Sequence, residues 1–230
     1  MNSRLEEAIA ETIEEVVEAS LRTKLEDVTR EALERLKSEC GGVLDDAVEE
    51  ARDTATLESG RQTAQALAES SRRIRSEDSI TGIASALVEC AARFCGRSAL
   101  FIHKGDQLLG FRAAGALGDG FGPKLQEVAF PLSEASSLAH AVESLESVES
   151  QASAGELSQQ VVDLFGLGNG TRVHLYPIAL RQKAFAVLYA DPGTGEEKRD
   201  VLTSALEVLV SLVEAWIEAV GGRKKTTNGS

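Results

Sequence analysis

Four side chains carry most of the chemistry this sequence offers. Arg172, His174 and Tyr176 alternate along the stretch TRVHLYPIAL, and the two-residue period of a strand puts all three on one face. A guanidinium, an imidazole that can donate or accept, and a phenol hydroxyl in one row suit an anionic or polar ligand. His140, in SSLAHAVES, could close the same pocket from a neighbouring helix.

The remaining reactive residues point to no reaction. The three cysteines, Cys40, Cys90 and Cys95, have no disulfide-framework or zinc spacing, and read as buried, reduced thiols. The third histidine, His103, stands apart from the other two, and no Ser–His–Asp order emerges. Gly166-Leu167-Gly168-Asn169-Gly170 looks like a phosphate loop, but it precedes a strand instead of joining a strand to a helix. The amides of a helix N-terminus are therefore missing, and the run is a turn. No metal and no cofactor is expected.

Two apolar runs, Arg172–Leu180 and Ala184–Ala190, flank the turn Arg181-Gln182-Lys183 and form a hairpin closed by Asp191-Pro192-Gly193. Pro177 lies inside the first run and marks an edge, bulge or bend, because proline has no N–H for a ladder. A long apolar helix, Glu196–Val220, follows. Its apolar face is too wide for one sheet to cover, so a second helix should share it.

Upstream, Ser76 with Glu77 and Asp78 reads as a helix start, with the apolar residues running to Phe94 and Gly96 as the stop. Strands Ser98–Lys104 and Gln107–Ala114 meet at Gly105-Asp106. A glycine-rich loop spans Gly115–Pro123. Then come a strand at Glu127–Leu132, a helix from Ser133 to about Glu146, and a polar stretch, Ser147–Gly170, with helix at best in Gly155–Phe165.

Composition divides the 230 residues. No aromatic residue precedes Phe94 and no proline precedes Pro123. Residues 1–60 hold 7 Lys/Arg and 17 Asp/Glu, which is −10 of the net −13. So acidic a surface repels phosphate backbones and anionic lipid; neither a nucleic acid nor a membrane is an expected partner. From Leu21 to Ala51 the apolar residues step by 4 and 3 in sums of eleven, the repeat of a nearly straight helix seam that needs a partner to bury it. Gly41-Gly42 interrupts the seam; an αα-hairpin and pairing between chains both stay open. Residues Glu58–Arg75 read as a connecting helix or linker. The N-terminus lacks a signal-peptide core and no run of about 18 apolar residues occurs, so the expected location is cytoplasmic.

The order of elements resembles the GAF domain, a small-molecule-sensing relative of the PAS fold. The resemblance is carried by SALFIHKGDQLLGFRAAGAL, VAFPLSEASSLAHAVES and TRVHLYPIALRQKAFAVLYADPG, with Ala184 where many members carry glycine. It implies an α+β fold: a GAF/PAS-like central antiparallel sheet of five to six strands with helices on both faces, preceded by long α-helical segments. It implies a pocket between one sheet face and the variable helical segment, and a dimer bundle built from the first and last helices. Some members reduce free methionine sulfoxide through pocket cysteines or attach a bilin to one. Cys90 and Cys95 fall on the other side, and Cys40 lies outside the domain. The cyclic-nucleotide signature of other members is also absent.

The expected organisation is an acidic, coiled-coil-like oligomerisation segment at 1–75, a GAF-like domain at 76–220 and a disordered tail at 221–230. The expected function is a non-enzymatic sensor in signal transduction. It would bind a small ligand through Arg172, His174, Tyr176 and His140 and transmit through a homodimer formed by the N-terminal helix and helices 77–95 and 196–220. The alternative is an oligomerisation or protein-interaction module without a ligand, docking a protein partner whose identity the sequence does not give.

Overall fold

A computed structural model describes residues 57–168 and 170–227. The acidic apolar seam and the Gly41-Gly42 break lie outside the described residues. Residues Gln62–Ser230 form one compact unit.

The architecture is α+β. Helix α1 covers 57–75 and α2 covers Ile80–Ala91; the hairpin β1 (Arg97–Lys104) and β2 (Gln107–Gly115) follows. Next come α3 (Phe121–Gln126), β3 (Ala129–Pro131), α4 (Ser136–Ser144), β4 (Val148–Gln151), α5 (Ala154–Leu157) and α6 (Gln159–Phe165). The hairpin β5 (Arg172–Leu180) and β6 (Lys183–Asp191) leads into α7 (Thr203–Thr227). The six strands make one antiparallel sheet in the order β3-β2-β1-β6-β5-β4.

Alternation along the central strands builds two cores. Leu100, Tyr176 and Leu188 meet Ile83 and Leu87 of α2 and Leu206, Leu209 and Val213 of α7. Phe101, Leu175, Val187 and Tyr189 point the other way, against Leu125 of α3, Leu138 of α4, Leu157 of α5 and Phe165 of α6. Each fully buried side chain of this size stabilises the fold by about 1.5–3 kcal/mol. The width of the apolar face on the last helix is thereby explained: α7 packs on both β5 and α2.

Several boundaries differ from the sequence reading, each for a local reason. The hydroxyl of Ser76 donates to the Arg73 carbonyl at 2.7 Å and closes α1; Ser79 instead caps α2, accepting from Gly82 N at 3.0 Å. Residues 58–75, expected as a connecting helix or linker, are helical, and Ser70 and Ile74 are buried. The glycine-rich loop ends early, because Phe121–Gln126 closes into α3 behind Gly120 at φ 78°. Strand β4, reading Val-Glu-Ser-Gln, gave no apolar alternation to find it by. Residues Gly195–Glu197 form only a 3₁₀ turn, and α7 starts at Thr203. It then continues to Thr227, since extending a nucleated helix adds one hydrogen bond per residue fixed.

Pro177 sits where its missing N–H costs nothing. Strand β4 pairs with β5 only as far as Val148 opposite Leu175, so Pro177 lies beyond the end of that ladder while still facing Val187 of β6.

Candidate functional site

The row Arg172, His174, Tyr176 shares one face, as the strand period requires, and that face is the one beneath α7. Arg172 is exposed and pairs with Glu149 Oε1 at 3.0 Å, a surface pair worth at most about 1 kcal/mol. His174 is half-buried; burial lowers its pKa, with Glu149 pulling the other way. Tyr176 is buried in the α2–α7 layer. Burial, and next the charge of Glu207, pushes its phenol well above the ordinary value, and its hydroxyl has no partner. His140 is exposed on α4, in the opposite layer. The structure therefore does not bring the four residues together.

The polar cluster built into the sheet lies elsewhere. Arg97 opens β1, Asp191 closes β6, and the register sets them opposite each other. Arg97 Nε donates to Asp191 Oδ1 at 2.9 Å and Oδ2 at 3.1 Å. The Tyr189 hydroxyl donates to Oδ2 at 2.5 Å and Gly193 N to Oδ1 at 2.5 Å. Arg97 Nη1 donates to the carbonyl of Phe165 at 2.7 Å, and its guanidinium carbon lies 5.4 Å from the Phe165 ring centre. The side chains of Arg97 and Asp191 are 5% and 0% exposed. Burial raises the Tyr189 phenol far above its usual range, with the Asp191 charge adding to the effect. Above the pair, Phe165 contacts Tyr189 at 4.6 Å and Phe121 at 4.9 Å between ring centres.

Sequence reasoning passed over this cluster. One signal was available: Arg97 and Asp191 occupy inward positions, in phase with Ala99 and Phe101 and with Val187 and Tyr189. A charge at an inward position needs a buried partner.

Two surface clefts adjoin this layer. One, of about 410 Å³, opens between α3 and α6 and is lined by Gly118, Asp119, Phe121, Lys124, Asp163 and Leu164. The other, of about 560 Å³, runs along the outer edge of β4 past Ser137, Glu149, Ser150 and Glu156. There the hydroxyls of Ser137 and Ser136 donate to Glu156 Oε2, the latter at 2.8 Å, and hold its carboxyl below the usual value.

The two described thiols, Cys90 and Cys95, are poor nucleophiles. Burial raises Cys90, and burial with the nearby Asp191 charge pushes Cys95 up to about 12; a thiol that stays protonated does not attack. His103 donates from Nδ1 to the Ala184 carbonyl at 2.9 Å, which leaves the buried Nε2 without a partner. Among the described residues no group of three or more His, Cys, Asp or Glu is arranged to hold a metal, and no helix is long and apolar enough to cross a membrane.

No protein-family model matches the sequence, and no curated protein matches it. Solved structures do match in shape. Residues 122 to 287 of a methyl-accepting chemotaxis protein are 13% identical, with a TM-score of 0.54 over 67% of this chain and 98% of that one. The GAF domain of an Acinetobacter phosphoenolpyruvate-protein phosphotransferase is 16% identical, with 0.50 over 73% and 98%. The phycoerythrobilin-bound GAF domain of a cyanobacterial phytochrome is 15% identical, with 0.51 over 72% and 99%. Identity this low speaks for the fold alone: the six-stranded sheet between its two helical layers is a GAF fold, and this chain carries a GAF-fold domain.

Proposed function

We propose that the chain is a non-enzymatic signalling module of the GAF type. It takes a small ligand in the α3–α6 layer and passes the change through the sheet to α2 and α7, which pair with a second copy. The observation that carries this reading is the shared sheet. Alternate residues of β1 and β6 belong to opposite cores, Phe101 and Tyr189 to one, Leu100 and Leu188 to the other, so a rearrangement in one layer is felt in the next. The protonated thiols and the separated histidines support a binding role over a catalytic one. Both described cysteines lie in the α2–α7 layer, away from where a bilin would need one. The ligand face moves accordingly from the Arg172 row to the layer that holds Arg97.

The test is a thermal-shift screen of the full chain against metabolites at millimolar concentration, because a ligand of the native state must raise the melting point. No shift from any compound would remove the sensor reading.

A second reading, an interaction module without a ligand, is favoured by the packing of the α3–α6 layer. Phe101, Leu125, Phe130, Leu138 and Tyr189 there are all fully buried, and the chain's own side chains fill the space. Light scattering of the full chain tests the oligomer common to both readings; a monomer would sink it.

A further inference from the structure

Arg97 has one hydrogen-bonding group too many for its surroundings. Nε serves Asp191, Nη1 serves the Phe165 carbonyl, and Nη2 is buried without a partner. Leaving a charged donor unpaired inside a protein is costly. Asp191 does not call on Nη2, since Tyr189 and Gly193 already donate to it. What faces the guanidinium is Phe165, which offers a carbonyl oxygen 2.7 Å from Nη1 and a flat ring 5.4 Å from the central carbon. An oxygen acceptor beside an aromatic ring is the outline of an aromatic carboxylate, with the second oxygen missing.

Phe165 is also close to the surface. The cleft of about 410 Å³ between α3 and α6 is lined by Phe121, whose ring meets that of Phe165 edge-on at 4.9 Å. Gly118 and Gly122 flank Phe121. Neither has positive φ, and a Cβ on either would meet nothing within 4 Å. Nothing in the folded conformation requires glycine at these two positions, so what they supply is backbone freedom. The lip of the cleft that carries Phe121 thus has two positions at which no side chain restrains the backbone.

The geometry points to a gated binding site for a small aromatic carboxylate, with Phe165 as the plug and Arg97 as the recognition group. When Phe165 withdraws, Nη1 and Nη2 present two parallel N–H groups, which a carboxylate takes side by side. The ligand's ring then replaces that of Phe165 against Tyr189 and Phe121. The mouth of the cleft holds Lys124 but also Asp119 and Asp163, so selectivity for an anion resides at Arg97 and not at the entrance. This inference rests on the ligand-taking reading above and adds the class of ligand.

The experiment uses the full chain with sodium benzoate and benzamide as probes, read by thermal shift and by hydrogen exchange of the peptide spanning 159–165. Benzoate should raise the melting point and change exchange in α6, and benzamide should do neither. Phe165→Ala removes the competing ring, leaving only the backbone carbonyl of residue 165 for the ligand to displace, and should bind benzoate at least about tenfold more tightly; adding Arg97→Lys, which cannot offer the paired N–H groups, should abolish the gain. Equal binding of benzoate and benzamide to Phe165→Ala would show only an apolar cavity and overturn the proposal. If that variant does not fold, the wild-type exchange decides: unchanged α6 exchange at saturating benzoate overturns it as well. A metabolite that shifts the protein while benzoate does not would leave the sensor reading standing and remove the carboxylate.

Discussion

Removing the carboxylate of Asp191 tests whether the buried cluster holds the two central strands, β1 and β6, together. Asp191→Ala leaves Arg97 charged, 5% exposed and facing only the Phe165 carbonyl, with the Tyr189 hydroxyl and Gly193 N also stripped of their acceptor. Breaking a buried ion pair from one side costs about 3–5 kcal/mol, a large share of the 5–15 kcal/mol that an ordinary domain has in total. At about 2–4 °C per kcal/mol for a chain of this size, the melting point should fall by about 6–20 °C. Urea unfolding supplies the number. Trp216, the one tryptophan of the chain, is half-buried and donates to the Glu77 carbonyl at 3.0 Å, so its fluorescence reports loss of the contact between α7 and the link from α1 to α2. With a slope near 2 kcal/mol/M, the midpoint should drop by about 1.5–2.5 M at unchanged slope. The triple change Arg97→Met, Tyr189→Phe and Asp191→Leu removes the orphaned charge and hydroxyl along with their partner, leaving only the backbone groups Gly193 N and Phe165 O unserved, and should cost less than Asp191→Ala alone. A loss below about 1 kcal/mol for the single variant, or a triple variant that loses the sum of its parts, would refute the reasoning.

Glycines give a paired test. A Cβ at Gly96 would lie 2.1 Å from the Pro192 carbonyl oxygen and one at Gly110 1.9 Å from that of Leu125, so either alanine variant should lose about 2 kcal/mol or more; Gly118→Ala should gain about 0.4–1 kcal/mol in the same urea titration. The β5–β6 turn holds Arg181 at φ 52° and Gln182 at 62°, the geometry that favours Asn-Gly. Arg181→Asn with Gln182→Gly should therefore stabilise by about 1 kcal/mol, and an unchanged melting point would count against that turn type. Burial lowers the His174 pKa below its usual 6.5; below pH 6.5 the unfolded chain then binds more protons than the native one, and stability falls as pH drops. His174→Gln should flatten that part of the stability curve, and an unchanged slope would remove His174 as its source. Cys95, with its pKa near 12 and its thiol buried, should resist iodoacetamide at pH 8 in the native chain and react in urea, as peptide mapping would show.

Much of the fold was legible because apolar periodicity survives in single sequence. The two long hairpins, α2, α4 and α7 all announce themselves by their spacing, and Gly105 and Asp106 mark a turn without help from tertiary structure. What was missed depends on partners distant in the chain. Strand β4 is an edge strand with two inward positions, Val148 packed on the core and Ser150 held by Ser137 at 2.8 Å, too few for an apolar alternation to show. The period of β5 correctly set Arg172, His174 and Tyr176 on one face. Which helix would cover that face is decided by α7, whose docking no local pattern records. Arg97 and Asp191 are 94 residues apart, and only the β1–β6 register makes them a pair.

That register also explains why the cluster stands where a signal could cross the sheet. Gly96 N donates to the Asp191 carbonyl at 2.9 Å, Leu202 N to Phe94 O at 2.8 Å, and Arg199 N to Pro192 O at 2.8 Å. The hydroxyl of Ser98 reaches the Val88 carbonyl of α2 at 2.8 Å. Residues 94–98 are thus bonded to α2, to the lead into α7 and to the last residue of β6, while Arg97 among them reaches through to α6. Packed interiors shift between discrete arrangements more readily than they deform continuously. A displacement of Phe165 would act on Arg97, and Arg97 cannot move without the short stretch that anchors both α2 and α7. The Arg172 row has no such link: Arg172 answers only to Glu149 at the surface, and Tyr176 is packed beneath α7 with nothing bonded to its hydroxyl. Connection to both helices therefore favours Arg97 over the Arg172 row as the place where the proposed ligand would act on the helices.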